Sequence, residues 1–175
     1  NPDSVTAEVR RWFLFAYYAG GMRFSDVATL RPEHIRGTSP RRVYYRMEKT
    51  DDAVGVPLVK EAEAILSHYD GPHEGGWVFP ILDGIDPGAD TVVQRKESQN
   101  AKANDYLKHL ADEADVDAHV TFHLSRNAAA WRLYTSIGDV YKVSKLLGHS
   151  SVTQTEEYLS GFEDDSLDDD FLSAF

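Results

Sequence analysis

His123 and Arg126 stand three residues apart in this 175-residue chain, a spacing that puts both side chains on one face of a helix and lets them point at the same anion. A guanidinium stays charged at any working pH and offers paired donors that match a phosphate, which a Lys ammonium does not. A further guanidinium, Arg23, follows a Gly20-Gly21 break near the start of the chain. His149 follows Gly148, and Tyr158 comes nine residues later on what the pattern predicts to be a separate short helix. Attack on a phosphodiester spreads extra negative charge over the non-bridging oxygens. The sequence shows no cluster of metal ligands to neutralise it, so no metal or cofactor is expected and the task falls to Arg23 and Arg126. His123 and His149 add hydrogen-bond donors or a proton acceptor near neutral pH. A phenol, with a reference pKa of about 10, is a weak nucleophile until cations or a base help remove its proton.

Each residue taken singly has an ordinary explanation. An Arg after a Gly-Gly turn is usually a surface charge, a Lys at a hairpin tip usually aids solubility, and Arg126 fits a helix salt bridge. A lone His usually caps or packs, and Tyr158 is one of nine Tyr in the chain. What sets these residues apart is the set of types, their order and their spacing together.

That combination resembles the tyrosine recombinase, or phage integrase, family. Gly20-Gly21-Met22-Arg23-Phe24-Ser25-Asp26-Val27 is similar to the family's first-arginine box, and Glu48-Lys49-Thr50 to its hairpin lysine. His123-Leu124-Ser125-Arg126 is similar to its His-x-x-Arg box, and Leu146-Leu147-Gly148-His149-Ser150-Ser151 through Thr155 and Tyr158 to its closing motif. The resemblance runs from about Val5 to Phe162, with one departure at Asn127, where the family more often carries His or Arg. It implies an enzyme that cuts and rejoins DNA, with Arg23, Lys49, His123, Arg126, His149 and Tyr158 as catalytic residues. It further implies Tyr158 as the nucleophile and Lys49 as the acid that protonates the departing 5′ oxygen, leaving a 3′-phosphotyrosine. The implied partners are double-stranded DNA and other protomers, four in all in a synaptic complex, on a protein that is monomeric alone. The two rivals are a type IB topoisomerase-like enzyme and a catalytically silent DNA-binding or assembly protein of the same fold.

The elements that must position these residues read as an α+β, mainly α fold with a small antiparallel sheet. Val5, Val9, Trp12, Phe13 and Ala16 recur at helical spacing until Gly20-Gly21. A short helix follows over about 25–30, with Ser25 as its cap and Pro32 discouraging continuation. Arg42 to Met47 and Val54 to Leu58 read as a hairpin whose turn carries Lys49. Val59 to His68 reads as a helix, and Gly-rich loops then flank the apolar stretch Trp77 to Leu82. Further helices are predicted over about 91–113, 123–136, 140–147 and 151–159. Asp139 and Ser151 serve as N-caps, Ser151 and Gln154 have capping-box spacing, and Gly138 and Gly148 are breaks.

The formal charge of −11 speaks against a nucleic-acid partner until its distribution is seen. Residues 1–50 carry +4 and residues 121–149 carry +3, whereas 51–120 carry −10 and 150–175 carry −8. A DNA-binding face built from the two basic segments is compatible with the acidic total. A salt-adapted surface, with 18 Asp against 7 Lys, is an equally good source of that total. The absence of cysteine excludes disulfides, thiolate metal sites and a cysteine nucleophile, and fits an intracellular protein; the resemblance implies a cytoplasmic, nucleoid-associated one. No apolar run approaches the length of a membrane span. His68, His73 and Glu74 lack zinc-site spacing, and 164–170 lacks a calcium-loop pattern. One domain over 1–175 is expected, with 1–4 as a linker remnant, the family's N-terminal DNA-clamping domain outside the chain, and 160–175 as a tail. Phe162, Leu167, Phe171, Leu172 and Phe175 interrupt the tail's acids, and the resemblance implies that it docks on a neighbouring protomer.

Overall fold

In a computed structural model that describes residues 4–69, 71–86, 88–149 and 151–160, the described residues form seven α-helices and one small sheet. Helix α1, Val5–Tyr18, starts where the Ser4 side chain accepts a hydrogen bond from the Ala7 amide at 3.2 Å. It buries Val9, Trp12 and Ala16 of the expected face, with Phe15 in place of the partly buried Phe13, while Val5 is exposed. Helix α2 spans Phe24–Ala28 and corrects the expected start. Arg23, not Ser25, is its N-cap residue, because the amides of Asp26 and Val27 both donate to the Arg23 carbonyl at 3.0 Å. Ser25 therefore lies inside the helix, which ends two residues before Leu30.

The expected hairpin is present as β2, Arg42–Arg46, and β3, Ala53–Pro57, with Val43 opposite Val56 and Tyr45 opposite Val54. A third strand, β1, Ile35–Arg36, pairs antiparallel with β2 and completes the order β1-β2-β3. Two residues are too few to show alternation, so this strand leaves no periodic trace in the sequence. Helix α3 spans Lys60–Leu66, and the apolar stretch after it ends in a 3-10 turn over Pro80–Leu82. Helices α4, Val92–Glu113, α5, Phe122–Ile137, α6, Val140–Leu147, and α7, Val152–Leu159, complete the chain. The Asp139 side chain caps α6 as expected, accepting from the Lys142 amide at 3.0 Å. Ser151 occupies the N-cap of α7, but its side chain makes no capping bond, so the capping box does not form.

The main core joins α1, α3, α4, the Trp77–Leu82 stretch and the first turn of α5. Phe15 and Phe79 are both fully buried there and meet edge to face at 4.9 Å, and burial of each such side chain is worth about 1.5–3 kcal/mol. A second, smaller cluster of Ala130, Val143 and Leu147 packs α5 on α6 and receives the ring of Tyr158. The site thus rests on packed helices rather than on loops alone. Among the described residues no helix is long and apolar enough to cross a membrane.

Candidate active site

The corner between α1 and α2 brings Arg23 to the site. Gly21 there has φ +76°, and a Cβ on it would lie 3.1 Å from both Cα and Cγ of Arg126. Glycine lets this corner approach α5 more closely than any side chain would. Arg126 uses the closeness. It is 1% exposed, and its guanidinium donates to the carbonyl of Gly21 at 2.7 Å and to that of Leu147 at 2.8 Å. One side chain therefore ties α5 to the α1–α2 corner and to the end of α6. Burial, followed by the nearby charge of Arg23, lowers its pKa from the usual guanidinium range.

Lys49 arrives on the turn between β2 and β3, exposed, and among the described residues it makes no hydrogen bond or ion pair. The turn itself is held. Arg23 donates to the Met47 sulfur at 2.9 Å, and the Glu48 amide donates to Oδ1 of Asp26 at 3.0 Å. Asp26 is 4% exposed, and burial raises its pKa against the opposing pull of the Glu48 amide and of Arg23. Asp26 is the residue whose role the sequence did not reveal. Its traces are its place in the first-arginine stretch and its standing beside the apolar Val27 and Ala28.

His149 sits just past Gly148, a left-handed C-cap with φ +65°. Its amide donates to the Ser144 carbonyl at 2.9 Å, and its Nδ1 pairs with the buried Thr155 hydroxyl at 2.8 Å. Nε2 has no partner among the described residues and is the ring nitrogen left for chemistry. Burial first, then Arg126 and Arg23, push the pKa of His149 down to about 4, so the ring is neutral at working pH. Burial and the same two arginines, with Lys49, also lower that of His123.

Thr155 and Tyr158 stand one turn apart on α7. The Tyr158 ring stacks on His149 with centroids 5.0 Å apart, lies 5.3 Å from the His123 ring, and has the Arg126 guanidinium carbon 5.8 Å from its centroid. Arg23, Lys49, His123 and Tyr158 line one open cleft of about 350 Å³ together with Asn127, Gln154 and Glu157. Arg126 and His149 lie behind that cleft. All the side chains singled out in the sequence converge here, although Arg126 is more enclosed than its helical spacing suggests. The two basic segments of the chain meet at this cleft, whose cations and neutral imidazoles can receive a phosphodiester beside a phenol. Among the described residues no group of three or more His, Asp or Glu side chains is placed to hold a metal ion.

Comparison with known proteins finds related sequences and folds. Residues 2–163 match the model of the phage integrase family. Tyrosine recombinase XerC of Yersinia pestis is 25% identical over 151 residues, covering 85% of this chain and 46% of that protein. Tyrosine recombinase XerD of Brucella suis biovar 1 is 28% identical over 155 residues, covering 84% and 46%. The chain spans about half the length of the curated relatives it matches. Among solved structures, the post-cleavage complex of the XerH site-specific recombinase bound to palindromic difH substrate aligns with a TM-score of 0.69 at 18% identity, covering 95% of this chain and 46% of that one. XerA recombinase aligns with a TM-score of 0.63 at 17% identity, covering 96% and 61%. These structural likenesses show a shared fold.

Proposed function

The chain belongs to the phage integrase family, and from that premise we propose that it is the catalytic part of a site-specific DNA recombinase that cuts and rejoins DNA through Tyr158. The observation that carries the proposal is the single cleft lined by Arg23, Lys49, His123 and Tyr158, with Arg126 and His149 against its wall. The Tyr158 oxygen attacks the phosphorus, and the bond to the 5′ oxygen breaks. Lys49 gives that oxygen its proton, and the phosphorus stays on Tyr158 as a 3′-phosphotyrosine. Neutral His123 is available to take the phenol proton. Arg23, Arg126 and Nε2 of His149 face the charge that develops on the non-bridging oxygens. In rejoining, a free 5′ hydroxyl attacks the phosphotyrosine and Tyr158 leaves.

The partners proposed are duplex DNA and further copies of the protein assembled on it, in or beside the nucleoid. The relatives are named recombinases, which favours this reading over a lone type IB topoisomerase-like enzyme. The complete set of reactive side chains favours it over a silent binding protein. The test is to trap the protein on cellular DNA, sequence what is attached, and place that site in a nicked suicide duplex. A covalent adduct whose phosphopeptide maps to Tyr158 is expected. An adduct on another residue, or none on a bound duplex, removes the assignment.

A further inference from the structure

Lys49 has to meet the leaving oxygen from the end of an exposed turn, yet its own side chain has no partner among the described residues. Its neighbour is anchored twice. The Glu48 amide donates to Asp26 on α2, and the Glu48 carboxylate accepts from the ammonium of Lys96 on α4 at 2.5 Å. These contacts span 22 and 48 residues of chain, so they are tertiary ties rather than turn geometry. The pair is unequal in exposure. The Lys96 side chain is 9% exposed and that of Glu48 is 46% exposed. A buried ammonium without a counter-charge is costly, so Lys96 holds Glu48 in place more firmly than an exposed pair would. Glu48 and Lys96 also line, with Arg23, His123 and Arg126, a cleft of about 300 Å³ next to the one that holds Tyr158.

We propose that Lys96, acting through Glu48, is a positioning residue for Lys49: it fixes the turn so that the acid stands over the leaving oxygen. In the sequence Lys96 belongs to the polar run Gln94-Arg95-Lys96-Glu97-Ser98, which reads as a solvated helix face. Burial against a turn 48 residues away is what sets it apart. The inference rests on Lys49 being the acid, as proposed above, and makes a separate claim about what places it.

The test compares cleavage of an ordinary duplex with that of one carrying sulfur at the 5′ bridging position, whose thiolate leaves without a proton. General-acid loss in Lys49→Ala should slow the ordinary substrate by about 10²- to 10⁴-fold, with the sulfur substrate restored. Lys96→Met, which keeps the buried stem, and Glu48→Gln, which keeps the amide bond to Asp26, should each slow the ordinary substrate by about 10- to 100-fold. The sulfur substrate should restore both variants, half-site affinity should stay unchanged, and Lys96→Met should add little to Lys49→Ala. Wild-type cleavage by both variants, or a loss that sulfur does not restore although it restores Lys49→Ala, overturns this inference alone. If sulfur fails to restore Lys49→Ala itself, the acid assignment falls and this inference falls with it.

Discussion

The Tyr158 ring lies nearly parallel to the His149 imidazole, with centroids 5.0 Å apart and planes 15° from each other. The ring of the proposed nucleophile is thus held by His149 and by the cluster of Ala130, Val143 and Leu147. Tyr158→Phe keeps both contacts. Its unfolding midpoint and its affinity for a half-site should match those of the unaltered protein, while the covalent adduct on a suicide duplex disappears. Adduct formed by the Phe variant would be incompatible with the mechanism.

The two arginines should separate in a thermal melt. Arg23→Lys and Arg126→Lys each remove a preorganised donor, and each should slow cleavage by about 10²- to 10³-fold. Arg126 also supplies charged hydrogen bonds to two buried carbonyls, whose loss costs about 1.5–3 kcal/mol each. Arg126→Lys should lower the melting temperature by several degrees and Arg23→Lys by far less. Equal melting temperatures would mean that the tie between α5 and its neighbours contributes little.

Gly148 combines a left-handed backbone with tight surroundings. A Cβ there would come within 2.6 Å of Val54 and 2.7 Å of Met47, on the hairpin that carries Lys49. Left-handed geometry alone costs a non-glycine residue about 1–2 kcal/mol. Gly148→Ala should exceed that loss in urea denaturation and should slow cleavage as well, because the hairpin has to shift. A loss below 1 kcal/mol would show that the corner relaxes freely.

Stability should fall in mild acid. His149 has a folded pKa of about 4, below the roughly 6.5 of an unfolded His. Between those values the unfolded chain binds a proton that the folded chain refuses, so stability drops as pH falls from about 6.5 and levels off below about 4. The contribution is on the order of 1–3 kcal/mol. His149→Gln should shrink the difference between urea midpoints at pH 7 and pH 4.5. An unchanged difference would point to other groups.

The acidic tail lies outside the described residues, so its docking remains a proposal built on Phe171, Leu172 and Phe175 recurring at helical spacing. Deleting residues 164–175 should spare binding of one protomer to a half-site and weaken cooperative assembly on paired half-sites in gel shifts. Unchanged cooperativity would retire the idea.

The helices that hold the site were legible because amphipathic spacing and Gly, Ser or Asp punctuation are local properties. Gly20-Gly21, Asp139 and Gly148 mark their ends in the sequence and do so in the structure. The candidate site residues were legible by type and order through the family resemblance, and the structure gathers them around one cleft. Strand β1 was too short to leave a pattern, and the α2 boundary moved because a backbone carbonyl, not the Ser25 hydroxyl, receives the first amides. Only the tertiary structure decided that Arg126 is enclosed and bonded to two carbonyls, that Asp26 and Lys96 converge on Glu48, and that His149 is neutral. Each of these depends on burial and on partners far away in the chain, and neither quantity is carried by a residue's identity or by its neighbours in sequence.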